Sequence, residues 1–166
     1  MKKFTLISAL VLIFVLFSAC LSGSPKAESL KFYANDGTIA PQYYSEAELT
    51  FTPDYKAKSL YVEYSRVFPK RTNETGESDL KTSGDIGEEY FSRFEELTSV
   101  VKNYEEPENV NNDDYLGSGV FGVVLTEEGG AVSKIESFWN IEAEDFQALQ
   151  SFYLDIVNLL TQEVPV

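Results

Sequence analysis

Few kinds of side chain able to do chemistry are present in this chain of 166 residues, which carries 27 acidic residues, no histidine and one cysteine, Cys20. Without imidazole there is no Ser-His-Asp triad, no Cys-His pair and no His-bearing zinc site. What remains is carboxylate chemistry, either a glycosidase-like pair or a shell of oxygens around a hard cation. Glu88-Glu89 and Glu95-Glu96 are adjacent acids within a helical pattern, which is the arrangement of a solvated helix face. Asn109, Asn111 and Asp113 alternate as in a calcium loop. The sixth position of such a loop needs Gly and the twelfth Glu, and here they are Asp114 and Val120. An acidic turn accounts for the segment without a metal. The expectation is therefore no enzyme, no catalytic set, no metal and no cofactor, with a carboxylate-based envelope hydrolase as the alternative.

The sharpest local pattern is Leu116-Gly117-Ser118-Gly119-Val120-Phe121-Gly122-Val123-Val124, followed by Ala131-Val132-Ser133-Lys134. It resembles the glycine-rich nucleotide loop and strand lysine of protein kinases. Its surroundings do not support nucleotide binding: there is no His for the catalytic loop, no D-F-G, and only 32 residues follow Lys134. A dinucleotide-binding turn is excluded as well, because strand-forming Val123-Val124-Leu125 stands where a helix should begin. The glycines read instead as a strand start with a bend or bulge.

Cys20 has no partner for an intramolecular disulfide. It follows a basic Met1-Lys2-Lys3 and an apolar run from Phe4 to Phe17. As a helix that run is roughly 21 Å long, short for a membrane span and suited to a signal peptide. Leu16-Phe17-Ser18-Ala19-Cys20 resembles the lipobox of prokaryotic lipoproteins, with Phe17 where Leu is usual. The resemblance implies removal of residues 1–19 and a lipid on Cys20, hence membrane attachment at the cell envelope, facing outward. Leu21 in place of Asp implies the outer membrane if the source is Gram-negative. An ordinary signal peptide cut near Ala19 and an uncut anchor are the other readings of the same run. Residues 20–29 read as the lipidated Cys and a flexible tether, and residues 30–166 as a single domain.

Lys2 and Lys3 precede the cut, which leaves 11 basic residues against all 27 acidic ones, a net of −16. That charge argues against nucleic acid and against adhesion to anionic lipid headgroups. It leaves neutral or cationic partners, such as an envelope protein or a polysaccharide. Twelve Phe and ten Tyr argue for a packed core over disorder.

The elements that position these groups read as α+β. Strands are expected at Leu30–Tyr33, Glu48–Thr52 and Ser59–Phe68. In the third, Leu60, Val62 and Tyr64 share one face and Tyr61, Glu63 and Ser65 the other. Residues 69–84 are polar and aperiodic and read as a loop. Asp85 and Glu88 form a candidate capping box, ahead of a helix whose stripe is Phe91, Phe94, Leu97 and Val101. After a second polar loop, strands at Val120–Leu125 and Val132–Trp139 flank a Glu127-Glu128-Gly129-Gly130 hairpin. Asn140 then caps a helix with the stripe Phe146, Leu149, Phe152 and Ile156. The shared stripe spacing fits either a duplicated unit or two ordinary core-facing helices. The expected fold is an antiparallel sheet of about five strands with two helices on one face, in the order β-β-β-α-β-β-α. Its other face is solvated and presents alternate Tyr residues.

Overall fold

The structure is a computed structural model describing residues 25–37, 44–69, 79–104, 119–138 and 144–162. Six strands form one antiparallel sheet: β1 (Ala27–Asn35), β2 (Glu46–Asp54), β3 (Ser59–Val67), β4 (Leu80–Ile86), β5 (Val120–Glu127) and β6 (Val132–Phe138). They lie side by side in the order β4-β3-β2-β1-β5-β6. Helix α1 (Glu88–Asn103) follows the hairpin at one edge, and α2 (Glu144–Gln162) follows the hairpin at the other.

The α+β class and the two-helix cover are as the sequence reads. The strand count is six, because β4 begins within the 69–84 segment read as a loop and runs past its end. Its residues, Leu-Lys-Thr-Ser-Gly-Asp-Ile, lack the alternation that marks a half-buried strand. An edge strand has one neighbour, and β4 takes its whole ladder from β3, from Leu60 opposite Ile86 to Arg66 opposite Leu80. Its inner face is Leu80, Thr82, Gly84 and the buried Ile86, and Gly84 lies where the Leu160 side chain of α2 comes near. The same ladder overturns the capping box. Asp85 is paired with Tyr61 in extended backbone, so the helix starts later, with Gly87 as N-cap and no side-chain cap bond.

Strand β1 begins at Ala27, three residues inside the stretch read as tether. Two tight turns close one end of the sheet. At Tyr55–Lys58, Asp54 Oδ1 accepts the N–H groups of Lys56 and Ala57, each at 2.9 Å. At Glu128–Ala131, Gly129 and Gly130 adopt φ of 93° and 84°, a region open to glycine at little cost.

Every second strand residue faces the helices. Leu30, Phe32, Leu49, Phe51, Leu60, Val62, Phe121, Val123 and Leu125 are fully buried there. Both helical stripes read from the sequence meet them: Phe91, Phe94, Leu97 and Val101 from α1, and Phe146, Leu149, Phe152 and Ile156 from α2. The centre of the core is aromatic. Phe51 stacks on Phe152 with ring centroids 5.2 Å apart, and Phe32 meets Phe51 edge-on at 5.7 Å. Arg93 ties the helices together, reaching Asp155 at 2.7 Å while its guanidinium lies 5.1 Å from the Phe152 ring centroid.

Candidate functional site

The face of the sheet turned away from the helices carries the alternate residues of each strand: Lys31 and Tyr33, Glu48 and Thr50, Tyr61, Glu63 and Ser65, Lys81 and Ser83, Val124, and Lys134 and Glu136. This follows from the pleat and from the pairing registers. No element packs over this face among the described residues, and Tyr61 is 43% exposed on it. A trough of about 400 Å³ runs along it, lined by Glu48, Thr50, Glu63, Ser65, Lys81 and Ser83. An adjoining hollow of about 390 Å³ shares Glu48, Ser65 and Lys81 and continues to Tyr33, Tyr44 and Glu46.

Tyr33 is the most tightly organised group on this face. Its hydroxyl donates to a Glu136 carboxylate oxygen, although Glu136 belongs to β6 and Tyr33 to β1, with β5 between them. The residue opposite both is Gly122. Strands stand about 4.8 Å apart, so the phenol must lie flat over β5 to reach its partner. A Cβ on Gly122 would overlap the Tyr33 ring. Lys134 completes the group, 3.2 Å from Glu136 and 5.5 Å from the Tyr33 ring centroid.

Each partner biases the others. Burial pushes the Tyr33 phenol up, reinforced by its bond to Glu136. The Tyr33 hydroxyl and then Lys134 hold the Glu136 carboxyl below its usual range. Lys134 is raised by Tyr33 and Glu136. All three move away from neutrality, which is the opposite of what general acid–base catalysis near neutral pH needs. This trio can hold a neutral phenol, a carboxylate and an ammonium in fixed positions for hydrogen bonding.

A second network closes one margin of the face. Asp36 Oδ2 accepts the Ser45 N–H at 2.9 Å and also the Ser45 hydroxyl. Arg66 Nε donates to the Ser45 oxygen at 3.0 Å. Asn35 Oδ1 accepts N–H groups from Gly37 and Val120, both at 3.1 Å, which ties the end of β1 to the start of β5.

The glycine-rich pattern is thus accounted for in part by architecture. Gly122 is the floor under Tyr33, where a bend or bulge was expected, and Lys134 contacts the same phenol. Gly119 is buried beside the start of β5. Gly117 and Ser118 lie outside the described residues, as do Cys20, Asn140 and the Asn109–Asp114 segment read as an acidic turn. Glu88, Glu89, Glu95 and Glu96 are exposed along α1. Tyr33 and Tyr61 are on the open face, where alternate Tyr residues are expected. Tyr55 packs edge-on against Phe91 at 5.5 Å.

Among the described residues, no group of three or more Asp, Glu, His or Cys is placed to hold a metal ion. No helix among them is long and apolar enough to cross a membrane. Comparison of the chain with protein-family models, with characterised proteins and with solved structures gives no match. The Tyr33–Gly122–Glu136 arrangement was hidden in the sequence, since its members come from three strands. The one available sign was a glycine inside a strand pattern, which marks a close approach as readily as a bulge.

Proposed function

We propose that this protein is a lipid-anchored binding module of the cell envelope, held by Cys20 and using the open face of its sheet to take a polar ligand. The observation that carries the reading is the trough, uncovered among the described residues, in which Glu48, Glu63, Lys81 and three hydroxyl side chains alternate on adjacent strands, with a hollow beside it that reaches Tyr33. Such a surface offers donors and acceptors in a fixed pattern with an aromatic plane beside them, which suits a polysaccharide or the polar surface of an envelope protein. The net charge of −16 after loss of residues 1–19 directs it to neutral or cationic partners.

Binding is favoured over hydrolysis by the setting of the carboxylates. Glu48 and Glu63 sit diagonally on neighbouring strands, but both side chains stand in water and Glu48 is bound to Lys31 at 2.6 Å. A glycosidase acid needs burial or a like charge to keep its proton near neutrality.

The test is photo-crosslinking from position 65 in intact cells, followed by identification of the captured material. A specific envelope protein or glycan should be recovered, and its yield should fall in Tyr33→Ala and Glu63→Lys variants. Recovery of no specific partner, together with measurable glycan hydrolysis by the purified chain, would overturn the proposal in favour of an envelope hydrolase. The anchor is tested by Cys20→Ala, which should abolish lipid labelling and release the protein from membranes.

A further inference from the structure

The chain is clamped to the domain from Pro25 onward. Ala27 donates its N–H to the Tyr55 hydroxyl at 3.0 Å, and that hydroxyl lies 3.2 Å from the Ala27 carbonyl. The Lys26 carbonyl accepts the Glu128 N–H at 2.8 Å. The Pro25 carbonyl accepts Lys102 Nζ at 2.9 Å, and the same ammonium is paired with Glu127 at 2.5 Å, with the Glu127 side chain only 12% exposed. Lys26 Nζ stands 4.6 Å over the Tyr55 ring. Four elements therefore hold three consecutive residues: the β2–β3 turn, the β5–β6 turn, the end of β5 and the last turn of α1.

We infer that the domain cannot invert on the bilayer: the end bearing the Tyr55–Lys58 and Glu128–Ala131 turns stays near the lipid surface, and the opposite end is on average farther from it. The inference rests on the lipid anchor at Cys20. Cys20 and Pro25 are separated by five residue steps, which span at most about 18 Å fully extended. Ten residues of free tether, as 20–29 would supply, would let the domain tumble. Five, ending in a clamp at one end of the sheet, keep that end within about 18 Å of the bilayer and so prevent the domain from inverting, because nine-residue strands are about 30 Å long.

The registers define the two ends. Ala27 opposite Glu127, Asp54 opposite Ser59 and Thr126 opposite Val132 mark the anchored one, and Asn35 opposite Glu46 with Arg66 opposite Leu80 marks the other. The anchored end mixes Lys26, Lys56, Lys58 and Lys102 with Glu28, Asp54, Glu88, Glu127 and Glu128, so the short tether sets the orientation without electrostatic adhesion.

Full-length lipidated protein in phosphatidylcholine vesicles carrying a headgroup quencher tests this. With Cys20 lipidated, a fluorophore can be placed on a single introduced thiol, in Lys56→Cys at the anchored end or Glu46→Cys at the far end, both exposed positions. Quenching at 56 should exceed that at 46 several-fold. A ten-residue Gly/Ser insertion between Ser24 and Pro25 should remove most of the difference. Equal quenching at both positions, or stronger quenching at 46, would overturn the orientation while leaving the anchor intact. Failure of the parent protein to float with the vesicles would overturn the anchor and the orientation together.

Discussion

The phenol of Tyr33 crosses an entire strand to donate its hydrogen bond to Glu136. The glycine beneath it, Gly122, is the residue that makes the crossing possible. Strands β1 and β6 are thereby linked by side chains across β5 on the solvent side of the sheet, in addition to the backbone ladders. The arrangement fixes the aromatic plane beside the hollow that adjoins the trough, and its removal should be felt in both stability and binding.

Gly122→Ala should destabilise the fold by about 1–3 kcal/mol, the usual cost of forcing extra volume into a filled site. Most of that loss should be recovered by adding Tyr33→Ala, because the clash is with the phenol ring. Urea unfolding of the two single variants and the double variant measures this coupling. Simple additivity would show that the ring is not what confines position 122.

The Glu136 carboxyl is held low in the folded state by Tyr33 and Lys134. Its contribution is therefore present above the ordinary carboxylate value of about 4.3 and is lost as pH falls through the lower folded value. Tyr33→Phe removes the first of these partners. The difference in Tm between the wild-type protein and Tyr33→Phe should be present near pH 6 and should shrink below about pH 4. A difference that stays constant down to about pH 2 would contradict the linkage.

Tyr153 is buried, and its phenol is pushed well above the ordinary value by burial and by neighbouring Tyr64, which is itself raised by burial. A folded value above the unfolded one gives stability that is complete below about pH 10 and is lost as pH rises toward the folded value. Tyr153→Phe removes one ionisable group from the core and should move the alkaline unfolding midpoint upward, as read by far-UV circular dichroism. An unchanged midpoint would place the alkaline transition elsewhere.

Phe152 touches the rings of Phe32 and Phe51 and lies beneath the Arg93 guanidinium. Phe152→Ala should cost about 3–5 kcal/mol, a typical figure for an aromatic lost from a close-packed core. Asp155→Ala, which removes only the exposed partner of Arg93, should cost no more than about 1 kcal/mol. Chemical denaturation of both variants compares them directly. Similar losses would mean that the helices are held to each other by the ion pair more than by the rings.

Periodicity was enough to find both helices, five of the six strands and the buried stripes, because side-chain direction repeats every two residues in a strand and about every 3.6 in a helix. Composition was enough to exclude imidazole chemistry. The 80–86 strand escaped because an edge strand draws its order from its neighbour's backbone and needs no apolar alternation of its own. The start of α1 escaped with it, since Asp85 belongs to that ladder. Where the chain first joins the domain depended on contacts that Pro25, Lys26 and Ala27 make with residues 28 to 102 positions away. Tyr33, Gly122 and Glu136 carry no mark of one another along the chain. The order of strands across the sheet put them together, and that order is a property of the packed fold.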